Sequence, residues 1–313
     1  MALKLPRPSP RALFTLLSLL SKSSAYNLTS NSCPDSSEDI VYSPFTPYFV
    51  HPHTSAQQCW TWANCVFSAA DESRKQQFAA TALVMGLIPV TLADLAWPEK
   101  RLVYVTKPLV PILSVLVLAL GLVPEETGDR EVTREKSAAS NLIARRVWQK
   151  QRVWTLPWIL LSSVLLFASY AGLVVMEIWS KRSALGCPFP IFVSCWYICA
   201  LIPATIHTLF STLRRRSERR HKGKLYEVGL NPSGGVREES NASAIQGATE
   251  LWPVQLSWAI YYIAGTLVWT SIMAVTVVEL AVWTGLAFAV TASSKVVALF
   301  ICLVLENTGN ESS

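Results

Sequence analysis

Charge is scarce in this chain, and scarcest over Leu251–Leu305, where Glu279 and Lys295 are the only charged side chains. Lys, Arg, Asp and Glu make up 15% of the 313 residues, against about 25% in soluble domains. A stretch so long and so apolar is excluded as a soluble core helix. Histidine is scarce too: of four, only His207 lies in an apolar run, which excludes a transmembrane bis-histidine haem. The chain lacks His-Glu-x-x-His, a Gly-x-Ser-x-Gly elbow, a Walker loop and a paired-aspartate motif, so the usual signatures of catalysis are missing. His51-Pro52-His53 brackets a proline in a Pro-rich segment and reads as surface loop rather than metal ligand. No zinc-finger, RNP-like or helix-turn-helix pattern accompanies the net charge of +6, which excludes nucleic acid as the expected partner. No cofactor and no metal is expected.

What is present in quantity is apolar sequence, 51% of residues, together with 12 tryptophans. A bilayer span needs about 20 apolar residues. Runs of that kind occur at 78–97, 154–179 and 188–213, with a shorter one at 109–123 and room for two in 251–305. Trp97, Trp154, Trp158, Trp179 and Trp252 stand at or near the ends of these runs, where indole rings favour the membrane–water boundary. The expected fold is all-α: a multi-pass transmembrane helical bundle with a small Cys-containing extracytoplasmic N-terminal region, and the lipid bilayer as first partner.

Two loops are basic. Residues 124–153 carry Arg130, Arg134, Lys136, Arg145, Arg146, Lys150 and Arg152. Residues 214–250 carry Arg214, Arg215, Arg216, Arg219, Arg220, Lys222, Lys224 and Arg237. The loop between the two intervening spans holds only Lys181 and Arg182. The positive-inside rule puts both basic loops in the cytosol. An extracytoplasmic N-terminus followed by full spans at 78–97 and 109–123 contradicts that placement, so one of the two does not cross. Pro108, Pro111 and Pro124 bracket the second, and as a helix it reaches roughly 22 Å against the ~30 Å hydrocarbon core. It is expected to lie in the interface or re-enter. The rival is six full spans with both basic loops in the lumen, favoured only by sequons at Asn241 and Asn310.

Residues 1–25 resemble a secretory signal: Lys4, Arg7 and Arg11, then an apolar Ala12–Leu20, then small residues to Ala25. An uncleaved anchor is the alternative. Residues 26–77 are polar and proline-punctuated, with a candidate N-glycosylation site at Asn27 and cysteines at Cys33, Cys59 and Cys65. So short a segment needs disulfides or the membrane domain to order it. With Cys187 on the same side, four cysteines permit three pairings. A local Cys59–Cys65 loop would leave Cys33 to tether to Cys187. Residues 214–250, with Asn231-Pro232-Ser233-Gly234-Gly235, read as flexible linker, and 251–313 as two spans and a short tail.

Ionisable groups within spans mark function or packing. Asp94 and Glu177 lie near terminal tryptophans, where interfacial water solvates them, and His207 reads as a hydrogen-bonded packing residue. Glu279 and Lys295 are expected to form an ion pair if the last two helices turn near Thr284-Gly285. Cys195 and Cys199, one helical turn apart, are expected to pack as buried apolar groups. Gly265, Ala274, Gly285 and Ala287 allow close helix approach.

The segment Cys59-Trp-Thr-Trp-Ala-Asn-Cys65-Val-Phe, leading through Lys75-Gln-Gln-Phe-Ala-Ala to Met85-Gly-Leu-Ile-Pro-Val-Thr-Leu92, resembles filamentous-fungal multi-pass membrane proteins of unknown activity. In that group a cysteine-containing lumenal stretch enters a span with a Gly-Leu-x-Pro core. The resemblance covers Gln57 to about Val123 and implies no catalytic residues. The expected function is non-enzymatic: an accessory, scaffold or recognition protein of the secretory pathway, in the plasma membrane or an endomembrane, with a protein or small-molecule partner. The alternatives are a transporter or channel using Glu279 and Lys295, and a membrane-bound component of a fungal biosynthetic pathway.

Overall fold

The computed structural model describes residues 37–45, 56–95, 101–140, 155–185, 187, 189, 191–227, 246 and 250–308. The proposed signal, Asn27, Cys33, His51 and His53, and the sequons at Asn241 and Asn310 lie outside them, as does the side chain of Asp94. The fold is mostly helical. In chain order come α1 (Ser37–Tyr42), α2 (Ala56–Ala69), α3 (Glu72–Leu95), β1 (Leu102–Val105), α4 (Pro111–Ala119), β2 (Val123–Glu126) and α5 (Arg130–Ser140). They are followed by α6 (Thr155–Ile178), α7 (Lys181–Ala184), α8 (Phe192–Cys199), α9 (Leu201–Glu227), α10 (Trp252–Thr270) and α11 (Val277–Thr308).

Among the described residues, three segments are long and apolar enough to cross a membrane: Pro157–Ile178, Phe192–Ser217 and Val277–Glu306. Their apolar side chains turn outward as well as inward. On α6, Leu160, Leu161, Val164 and Phe167 are all exposed, at the helical spacing of one continuous face. Soluble monomers rarely carry such faces. The same is true of Leu83 and Leu87 on α3 and of Ile260, Ile263 and Leu267 on α10.

Inside, α11 packs along α6 and α10 along α3. Met85, Leu173, Trp196, Trp269 and Trp283 fill the core between them. Gly265 leaves room for a neighbouring helix: a Cβ there would stand 2.5 Å from the Trp196 ring. By contrast, a Cβ on Gly285 would meet nothing within 4 Å, so the expectation of close packing holds at Gly265 and not at Gly285. Ala274 lies outside the helices, in the α10–α11 turn.

The segment expected to lie in the interface or re-enter is a small β-α-β unit. The nine residues of α4 rise about 13.5 Å, well short of a bilayer core. β1 and β2 flank α4 and pair in parallel, Leu102 against Val123 through Val105 against Glu126, a departure from the all-α expectation. α4 begins on Pro111, where the missing N–H costs nothing. It ends in a Schellman turn: Gly121 N–H donates to Leu118 O and Leu122 N–H to Val117 O, with Gly121 at φ +96°. Val103, Val105, Val117 and Leu122 pack on Ala298–Leu303 of α11.

The basic loops also contain more structure than their composition implies. Residues 124–140 include the end of β2 and all of α5, and α9 runs on through Glu227, carrying the arginine run from Arg214 as helix rather than linker.

Candidate functional site

One end of the bundle is closed by a cap made from α1, α2 and the start of α3, with Ile40, Val41, Ala63, Val66 and Phe78 packed around Cys59 and Cys187. Those two cysteines are bonded to each other across 128 residues. This corrects the Cys59–Cys65 and Cys33–Cys187 pairing: the tether runs from α2 to the segment joining α7 and α8. Six residues apart on one helix, Cys59 and Cys65 are separated by roughly 9 Å of rise, too far for a bridge. Cys65 is itself disulfide-bonded.

Beneath the cap lies a buried ion pair, but between different residues from those expected. Glu279 meets Lys181, with Oε2 3.6 Å from Nζ and both side chains at most 3% exposed. It does not meet Lys295. The turn expected at Thr284-Gly285 is absent because α11 is continuous from Val277, which places Glu279 and Lys295 sixteen residues and roughly 24 Å apart on one helix. The turn falls instead at 271–276. The local sequence explains it: Thr276-Val277-Val278-Glu279 is a capping box. Thr276 N–H and Oγ1 donate to Glu279 Oε2 at 2.7 and 2.8 Å, and Glu279 N–H donates back to Thr276 Oγ1 at 3.3 Å. That Thr-x-x-Glu signature was the missed signal in the sequence.

Charged side chains at this end fix strained backbone. Phe45, Phe189 and Ala274 all have left-handed φ values, 56°, 57° and 52°, which cost of order 1–3 kcal/mol each outside glycine. Each is held by an ionic group. Phe45 N–H donates to Glu279 Oε1 at 3.1 Å, Lys181 Nζ donates to Ala274 O at 2.8 Å, and Arg182 donates to Phe189 O at 3.2 Å. Lys181 also reaches Val41 O at 3.4 Å and lies over the Phe78 ring. Burial pulls the Lys181 ammonium below the ordinary lysine pKa, with Glu279 opposing. Burial likewise lowers Arg182, opposed by Glu177.

Glu177 is not solvated at an interface. It is 3% exposed and caps α8: Val193 N–H donates to Oε1 at 2.5 Å, Ser194 N–H to Oε2 at 2.9 Å and Ser194 Oγ to Oε2 at 2.6 Å. A carboxylate on the first amides of a helix satisfies donors that the helix itself leaves open. His207 is buried, its Nε2 3.8 Å from Glu250 Oε1, and Glu250 also accepts from Arg214 at 3.1 Å. Cys195 and Cys199 are free thiols on the exposed side of α8, not buried as expected.

Lys295 belongs to a second place, a cavity of about 70 Å³ between α3, α8, α10, α11 and the Gly121 turn. Its wall includes Arg101, Lys295, Trp196, Trp258, Tyr261 and Tyr262. Pro89 lines it too; inside α3 it removes one helical hydrogen bond. Arg101 donates to Tyr262 Oη at 3.2 Å, and Trp196 Nε1 to Tyr261 O at 3.0 Å. The sequence singled out Lys295. Arg101 and the aromatic wall went unnoticed because they come from segments far apart in the chain.

Comparison of the chain with protein-family models, with curated proteins and with solved structures finds no match.

Proposed function

We propose that this chain is a multi-pass integral membrane protein of the secretory pathway, acting as a non-enzymatic accessory or scaffold whose disulfide-tied cap is its extracytoplasmic recognition face. One observation carries the reading. The ionic groups beneath the cap are consumed in holding its backbone: both oxygens of Glu279 accept hydrogen bonds, and Lys181 donates to carbonyls on either side. Groups committed in this way build a rigid surface rather than a moving ion path. The Cys59–Cys187 bond supports placing the cap on the oxidising side. The basic end of α9, Arg214–Arg216, supports the opposite end facing the cytosol. The fungal resemblance over Gln57–Val123 is part of this proposal.

The test separates scaffold from transporter at Glu279. On the scaffold reading, Glu279→Gln lowers the melting temperature of the purified protein and exposes the cap to limited proteolysis. A variant that melts like wild type yet abolishes solute flux in reconstituted vesicles would replace the scaffold with a transporter. For the biosynthetic alternative, metabolite profiling of a deletion strain gives the answer: accumulation of one intermediate would favour catalysis.

A further inference from the structure

We infer that the end of α9 distal to the cap is a binding surface for anionic phospholipid headgroups of the leaflet from which it emerges. The inference rests on the membrane orientation proposed above and adds to it a ligand and the residues that hold it.

The structure sorts the arginines that follow the span. Arg214 donates to Glu250 Oε2 at 3.1 Å and Arg215 pairs with Glu126 of β2, so these two fasten α9 to β2 and to the approach to α10. Arg216 lies on another face and is exposed. Upstream on that face Ile202, Leu209 and Leu213 are exposed as well. Downstream, steps of four residues lead from Arg216 to Arg220 and Lys224, and α9 is unbroken through Glu227. At 3.6 residues per turn these six positions fall within roughly 80° of arc. An apolar face open to lipid thus continues directly into a basic one, while the paired arginines point to other sides.

That continuity decides the partner. Acyl chains lying against Leu209 and Leu213 bring their headgroups level with the next residues along the same face. Arg216 stands roughly 4.5 Å beyond Leu213 and Arg220 roughly 10.5 Å. The headgroup layer is about 5–7 Å deep on each side of a bilayer, and its charge is felt for about 8 Å more in physiological salt. Arg216 therefore falls among the headgroups and Arg220 in the field above them. From Arg216 to Glu227 five Lys/Arg stand against Glu218 and Glu227, and Glu218 is placed across the helix from the Arg216–Arg220 face. An arginine at this height lays its stem along apolar surface and offers a planar fork that fits phosphate. With α9 already fastened by Arg214 and Arg215, little ordering remains to oppose binding.

The test counts the lipid that the protein keeps. Full-length protein is reconstituted in vesicles of phosphatidylcholine and phosphatidylserine at a fixed ratio. It is then extracted in neutral detergent and purified, and the bound lipid is quantified by mass spectrometry. Each cation near the surface contributes about a fivefold factor, so wild type is expected to retain phosphatidylserine about tenfold above its share in the vesicles. A wash at about 1 M salt is expected to remove the excess. Arg216→Gln alone is expected to lower the preference about fivefold, and its combination with Arg220→Gln and Lys224→Gln to return the bound lipid to the vesicle ratio. Lys75→Gln, which removes a cation at the cap end, is expected to change nothing. Should the triple variant fail to insert, Arg216→Gln decides alone. A wild type that inserts but shows no excess of phosphatidylserine, or an excess that Arg216→Gln leaves unchanged, overturns this inference and leaves the membrane reading standing. Wild type that does not enter vesicles at all overturns both.

Discussion

Removing the Glu279 carboxylate leaves the Lys181 ammonium buried without its counter-charge, and a stranded buried charge costs about 3–5 kcal/mol. Glu279→Gln is therefore expected to lower stability by roughly that amount in detergent denaturation. Desolvation weighs against the attraction of Glu279 at Lys181, and a buried ion pair replaced by apolar groups often loses little stability. Converting both partners, Glu279→Gln with Lys181→Met, is accordingly expected to recover much of the loss, and a double-mutant cycle measures it. A cycle with Lys295→Met serves as control: at roughly 24 Å along α11, its effect adds independently to that of Glu279→Gln. Burial of Glu279 was legible from the sequence, because a charge in a long apolar run must be paired. Its partner was not. Lys181 sits in a short loop that composition marks only as weakly basic, and hydropathy cannot say which loop folds over which helix end.

Helices and their closest contacts divide along the same line. The apolar runs at 154–179 and 188–213 announced α6, α8 and the first half of α9. The break between α8 and α9 at Ala200 precedes Pro203, which is tolerated in a first helical turn. The β-α-β unit stayed hidden, because Leu102-Val-Tyr-Val105 is as apolar as a span fragment, and strand pairing across the 17 residues from 106 to 122 leaves no periodic mark. Glycines were also ambiguous until their neighbours were known. Gly265→Ala is expected to cost about 1–3 kcal/mol by overpacking against Trp196. Gly285→Ala, facing open space, is expected to be neutral or to gain up to about 1 kcal/mol in helix propensity. Thermal unfolding of the two variants side by side reads the difference. The α2 tether is checked by non-reducing peptide mapping, which should recover a Cys59–Cys187 cross-link. Cys187→Ser should then lower stability by about 2–5 kcal/mol.

Across the whole molecule, two signals that owe nothing to each other support the proposed orientation. From Phe192, beside the Cys187 end, to Arg214, where the arginine run begins, α8 and α9 advance roughly 33 Å at 1.5 Å per residue. That is close to the ~30 Å hydrocarbon thickness. The disulfide lies at one end of this path and the arginine run at the other, which fits the proposed orientation in a membrane with a reducing, positive-inside cytosol. The sequence carried the charge half of this argument in full. It could not carry the disulfide half, since spacing alone leaves the pairings open. Acceptor tags for N-glycosylation inserted in 124–153, in 214–250 and beside Cys187 at 188–190 check the orientation directly. The first two are expected to stay unmodified and the third to be glycosylated. Modification within 124–153 or 214–250 would invert the bundle, placing the cap and its disulfide on the reducing side.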